Sequence, residues 1–188
     1  MPQAKIIVLL RDPVERAYSH WKRERRDGMD PCETFEEAVA AEPARLAGEV
    51  DRILSDDSYY SYAHENFSYI SQGLYLEPLR KWLEHYPREH VHVTTTERLL
   101  ADPQGVYNEI LEFLGLPPFR LRSTKLLNTN GTNDRLNPST RRDLYARVGP
   151  HNRRLAGYLD VELGWDDDGV ARERQAGRPS AAASTVSA

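Results

Sequence analysis

KIIVLLRDPVERAYSHW, residues Lys5 to Trp21, decides how the rest of the chain reads. Its first part, Lys5 to Leu10, is a continuous run of β-branched residues and leucine. That pattern suits a strand buried on both faces, as in a parallel sheet. Arg11, Asp12 and Pro13 follow. Asp12 is a good helix N-cap, Pro13 fits the first helical position, and Glu15 stands three residues after the cap, as in a capping box. The spacing predicts a helix from Pro13 to about Asp27, with Gly28 as its C-terminal stop. Strand, short turn and capped helix make half of a βαβ unit.

Working outward, Thr34 to Glu37 forms a second capping box and opens a helix through about Leu46, which Pro43 shortens or kinks. Ser55 to Ser71 is polar and rich in tyrosine, and reads as an irregular loop of a length that often carries function. Leu74 to Tyr86 carries Leu76, Leu79, Trp82 and Leu83 in near-helical register, with Pro78 tolerable only in the first turn. His90 to Thr94 alternates and predicts a second strand. Asp102 and Pro103 cap a helix that stops at Gly115-Leu-Pro-Pro118. Arg120 to Asn137 reads as a basic, polar loop. Pro138 and Ser139 open a helix that Gly149 and Pro150 break, and His151 to Leu159 forms a last short one. After Asp167 the composition turns to Ala, Ser, Arg and Gly, which predicts a disordered tail. The expected units are a partial domain over residues 1–166 and a tail over residues 167–188.

Composition narrows the function classes. The 188 residues are 39% apolar and 29% charged, with three Trp and ten Tyr, which fits a folded core. A net charge of −4 gives no global pull toward nucleic acid or anionic membrane. No apolar window is long enough to span a bilayer. The lone Cys32 excludes an internal disulfide framework and a multi-thiolate zinc site. No signal peptide precedes the first apolar run, so the expected location is cytoplasmic.

The sharpest chemistry sits at the first strand-to-helix junction. Arg11 falls at the carboxyl end of a parallel strand, where open α/β sheets place ligands. Ser19 lies two turns into the helix. A guanidinium and a hydroxyl together can hold a phosphate through charge-assisted hydrogen bonds. Alternatively, Arg11 pairs with Asp12 or Glu15 as a solvated ion pair. His90 and His92 alternate on the predicted strand, but no Asp or Cys ligand neighbours them, so a structural role is expected and no metal. Lys22 to Arg26 (KRERR) reads as a solvated face, or as an attractor for an acidic acceptor.

Lys5 to Trp21 closely resembles the 3′-phosphate-binding segment of sulfotransferases that use 3′-phosphoadenosine 5′-phosphosulfate (PAPS). The resemblance continues in order through Tyr69 to Trp82 (YISQGLYLEPLRKW), Val91 to Pro103 (VHVTTTERLLADP), Phe113 to Pro117 (FLGLP) and Leu136 to Ser139 (LNPS), and ends near Trp165. It is nearest to the bacterial and heparan-type carbohydrate sulfotransferases. It implies an α/β fold with a three-layer parallel sheet of P-loop-NTPase-like type. It also implies that Arg11 and Ser19 bind the 3′-phosphate of the donor. Tyr75 matches a position near the nucleotide, although an aromatic on an amphipathic helix also suits a core. The family's basic loop matches Arg122 to Arg135, where Lys125 and Arg135 would close on the phosphate. The Lys-Gly-Arg run of the heparan-type enzymes is missing there, and a solvated surface loop is the alternative.

None of the eleven glycines stands in a Pro-Lys-x-Gly-Thr-Thr loop, the family's cradle for the 5′-phosphosulfate, or in a GxxxxGK[ST] loop. The expectation is a sulfotransferase domain lacking its first strand, its phosphosulfate loop and the base that the family carries there. Its function would be transfer of a sulfuryl group from PAPS to a hydroxyl or amine of a glycan or small-molecule acceptor, with no metal. One alternative is a catalytically incomplete relic or binding module that keeps only the 3′-phosphate site. An unrelated nucleotide kinase is disfavoured by the missing phosphate loop.

Overall fold

In the computed structural model the described residues are 3–124 and 135–165. Two strands, β1 (Ile6–Leu10) and β2 (Val91–Thr95), pair in parallel with Ile6 opposite Val91 and Leu10 opposite Thr95. They are the only strands among the described residues. The predicted tail and Lys125 lie outside the described residues.

The first helix, α1 (Pro13–Arg26), starts where the sequence places it and ends at Gly28, whose φ of 74° no β-carbon would favour. Next come α2 (Phe35–Arg45), closed by the expected Thr34/Glu37 capping box, and α5 (Leu76–His85), α7 (Pro103–Leu114) and α8 (Pro138–Leu159). Pro43 sits inside α2 without ending it before Arg45.

Several expectations need correction. The segment read as an irregular loop contains a short helix, α4 (Tyr62–Phe67), started by the Ser61 hydroxyl accepting from the His64 N–H, and then a 3-10 turn at Ser71–Gly73. Two further short helices were not expected: α3 (Glu49–Ser55) and α6 (Thr96–Ala101), the latter capped by Thr95. Gly149 and Pro150 do not break the last helix. α8 runs through them because Leu144, Tyr145 and Val148 before the proline and Leu155 and Leu159 after it are all buried, which outweighs one missing N–H. His90 lies in a 3-10 turn before β2, so the two histidines do not share the strand. His92 instead packs on Phe113, with ring centroids 5.3 Å apart.

Nor is β1 buried on both faces. Leu10 is buried, but Ile7 is 42% and Leu9 51% exposed, because α5 and α8 cover only the opposite face. The core has two parts. One lies under that face, built from Leu10, Leu76, Leu79, Val91, Leu155 and Trp165. The other joins α1, α2 and α8 through Val14, Phe35, Tyr69, Tyr145 and Val148. The β1–α1 junction joins the two, with Leu10 in the first part and Val14 in the second.

Candidate functional site

Four side chains from later in the sequence grip this junction. The Thr96 hydroxyl donates to the Leu10 carbonyl at 3.1 Å, and the Tyr75 hydroxyl donates to the Arg11 carbonyl at 2.9 Å. The Asp12 N–H donates to Glu97 Oε1 at 3.0 Å. Tyr145 of α8 donates its hydroxyl to Asp12 Oδ2 at 2.7 Å. Asp12 also caps α1, its Oδ1 accepting from the Val14 and Glu15 N–H groups. The predicted capping box is only half formed. Glu15 does not return to the Asp12 N–H, since its carboxylate meets Arg141 of α8 and Glu97 takes its place.

That arrangement decides the pairing question at Arg11. Asp12 is committed to the helix start and Tyr145, and Glu15 to Arg141. Among the described residues no ion pair or hydrogen bond engages the Arg11 guanidinium. Burial pushes the Asp12 carboxyl above its ordinary range, and the Tyr145 hydroxyl and the two backbone N–H groups pull against that shift.

Arg11 and Ser19 line one cavity of about 680 Å³. Its floor is the face of α1 that carries Arg16, His20, Arg23 and Arg26, and Glu65 and Gln72 stand across from it. The face follows from spacing: positions 16, 19, 20, 23 and 26 recur at helical intervals of three and four. The KRERR run is therefore no uniform solvated face. Glu24 is buried, holds Arg23 Nε at 2.7 Å and lies 3.3 Å from His20 Nε2. Arg26 pairs with Asp27 at 2.9 Å. Arg16 donates to the Tyr69 carbonyl at 3.3 Å and to Gln72 Oε1, and has no carboxylate partner among the described residues. Burial lowers its pKa, with Arg23 and Arg11 adding to the effect and Tyr75 and Glu42 opposing it. Burial, then the charges of Arg16 and Arg23, push His20 down to about 4, so its ring is neutral near pH 7.

Of the residues expected at the site, the structure brings Arg11 and Ser19 together in one cavity. Tyr75 is half-buried against Trp165, its ring centroid 6.0 Å away, and burial pushes its hydroxyl up to about 12. Its polar end is spent on the Arg11 backbone. Arg135 is exposed and lines no described cavity. Arg16, His20, Glu97 and Tyr145 were missed. The i, i+3, i+7 spacing of Arg16, Ser19 and Arg23 was a usable signal, whereas the clamps from α6 and α8 had none in sequence. No cluster of three metal-ligating side chains occurs among the described residues, and no described helix is long and apolar enough to cross a membrane.

A strand end, an anchored turn and a cation-lined cavity suit an anionic group. Residues 1–139 match the sulfotransferase domain family model. The heparan sulfate glucosamine 3-O-sulfotransferase 3B1 of Mus musculus is 28% identical over 185 residues, covering 86% of this chain and 43% of that protein. The bifunctional heparan sulfate N-deacetylase/N-sulfotransferase 1 of Caenorhabditis elegans is 32% identical over 119 residues, or 63% of this chain and 12% of that protein. The chain thus spans less than half the length of these relatives. Among solved structures, a sulfotransferase from Alicyclobacillus acidocaldarius superposes with a TM-score of 0.65 at 28% identity, covering 86% of this chain and 57% of that one.

Proposed function

This chain belongs to the sulfotransferase domain family, and from that premise we propose that it anchors the 3′-phosphate of PAPS between Arg11 and Ser19. The α/β fold with its parallel strands is that of the family. The observation that carries the reading is the Arg11 guanidinium. It follows a strand end and lines a cavity shared with Ser19, with both neighbouring carboxylates committed elsewhere. A doubly charged phosphate fits such a group.

In the proposed reaction the sulfuryl group passes in line from the donor phosphate to an acceptor oxygen or nitrogen. The bond from sulfur to the donor phosphate oxygen breaks, a bond to the acceptor forms, and the acceptor proton leaves to a base. Rate then depends on holding the donor still and on stabilising charge at the leaving phosphate. Arg11 and Ser19 serve the first need. Tyr75 positions Arg11 by fixing its carbonyl. Lys125 and Arg135 are proposed to close over the phosphate, on the resemblance alone. The proposed acceptor is a glycan or other small molecule bearing a hydroxyl or amine. The names of the heparan sulfate relatives support a glycan, and no metal is invoked.

The test is calorimetric titration of the chain with adenosine 3′,5′-bisphosphate. Arg11→Ala is expected to lose about 1.5–3 kcal/mol, or roughly ten- to a hundred-fold in Kd. Unchanged affinity would sink the assignment. Binding of the bisphosphate with no turnover of PAPS on any offered acceptor would favour the binding-module alternative.

A further inference from the structure

Among the described residues four arginines line the cavity, and they are not equivalent. Arg23 is balanced by Glu24 and Arg26 by Asp27. Arg11 and Arg16 have no carboxylate partner among the described residues. Arg16 sits three residues before Ser19 on the same helix face and lines the same cavity. Its contacts to the Tyr69 carbonyl and Gln72 fix its position and leave further N–H groups unused. Glu65, the one acidic residue lining the cavity among the described residues, is exposed, so water screens it. Glu42, whose charge favours the Arg16 cation, does not line the cavity and accepts from the Ile70 and Ser71 N–H groups. The cavity therefore holds two half-buried guanidiniums that make no ion pair among the described residues, Glu42 acting on Arg16 only through space.

We propose that Arg16 is a second cation of the 3′-phosphate site, so that Arg11 and Arg16 together select a phosphate monoester in its dianionic form. This rests on the donor reading above. A half-buried guanidinium without a carboxylate is unfavourable by itself, and the arriving dianion offsets both charges at once. A singly charged phosphodiester or a monoanionic monoester leaves one guanidinium uncompensated. The ligand class is thus a terminal 3′-phosphomonoester, not an internal phosphodiester linkage. Ser19 contributes a hydroxyl and no charge. His20 stays neutral above its value of about 4, so it does not compete as a titrating group near neutrality. Tyr75, at about 12, is likewise silent there.

The probe is adenosine 3′-monophosphate, which carries a single titrating phosphate with a second pKa of about 6. Its affinity for the full chain is expected to rise between about pH 5 and pH 7 as the dianion forms. Its methyl diester is expected to bind weakly at every pH. Arg16→Gln is expected to weaken monophosphate binding about ten-fold or more at neutral pH, and to flatten the pH step. Arg16→Lys keeps the charge and is expected to keep the step, even where it loses the fork to Tyr69 and Gln72. Equal losses in both variants with the step intact would mean a merely structural role and overturn the proposal. So would wild-type affinity in Arg16→Gln. A phosphorus NMR titration of the wild-type complex needs no variant to fold. A bound phosphate whose pKa does not fall below its free value refutes the two-cation site. The donor reading fails separately, through unchanged affinity in Arg11→Ala.

Discussion

Tyr145→Phe removes one oxygen atom and tests how the site is held. The hydroxyl donates to Asp12 Oδ2 at 2.7 Å, and both residues are buried, at 6% and 2% exposure. Phenylalanine keeps the ring, its packing in the core around Val14 and Val148, and the Arg141 guanidinium 6.0 Å away. The variant therefore isolates the hydrogen bond. A bond to a charged acceptor contributes about 1.5–3 kcal/mol, and one to a neutral acceptor about 0.5–1.5 kcal/mol. The sign with pH follows from Asp12. Burial raises its folded-state pKa above the unfolded value, so its contribution is fully present below the unfolded pKa and is lost as pH rises through the folded one. The Tyr145 bond limits that rise. Without it the folded pKa climbs further, and more stability is lost at neutral pH. Urea unfolding is expected to show Tyr145→Phe destabilised by about 2 kcal/mol near pH 7, with an unchanged m-value. The deficit is expected to shrink toward about 1 kcal/mol as pH falls through the Asp12 titration. Equal deficits at both ends, or none, would refute a charged Asp12 held by this hydroxyl.

Two further outcomes are expected. Burial raises the Asp30 carboxyl, but two bonds from Arg45 at 2.9 and 3.0 Å, the Tyr69 hydroxyl and the Cys32 N–H outweigh it and bring the pKa to about 2. Because this value is depressed, its stability is present above the unfolded carboxylate range and is lost as pH falls from about 4 to about 2. Arg45→Met is expected to lose about 2 kcal/mol at neutral pH and to shift the acid transition upward, as read by circular dichroism along a pH series. Gly73→Ala would set a β-carbon 2.8 Å from Pro13 Cβ and 3.3 Å from its Cα. It is expected to destabilise by about 1–3 kcal/mol in thermal melts, and a wild-type Tm would contradict the close approach of the 3-10 turn to the start of α1.

Local signals carried much of the fold. Asp12-Pro13, Thr34/Glu37 and Asp102-Pro103 open helices where a side-chain acceptor stands before a helical run, and Gly28 and Gly115 end them where φ is positive. These are short-range effects within a few residues, so sequence displays them. Failures occurred where distant packing decided. Pro150 carries a breaker signal, yet the buried face of α8 holds the helix together across it. The Ser55–Ser71 stretch lacks helical periodicity, yet the Ser61 cap, Arg45 over the Phe67 ring and the Tyr62 hydroxyl on Met29 order Tyr62 to Phe67.

The site divides along the same line. By itself the sequence determined that an arginine ends a strand, that a serine follows two turns into the next helix, and that this pair belongs to a sulfotransferase pattern. It could not decide whether Arg11 was already neutralised, because Asp12 and Glu15 stand beside it in the chain. Only the tertiary structure decided that, by bringing Tyr145 and Arg141 of α8 and Glu97 of α6 onto the junction. Charge compensation depends on distances through space, and residues more than eighty positions away set them here. The same rule separates Arg16 from Arg23: both are arginines on one helix face, but of the two only Arg23 forms an ion pair among the described residues.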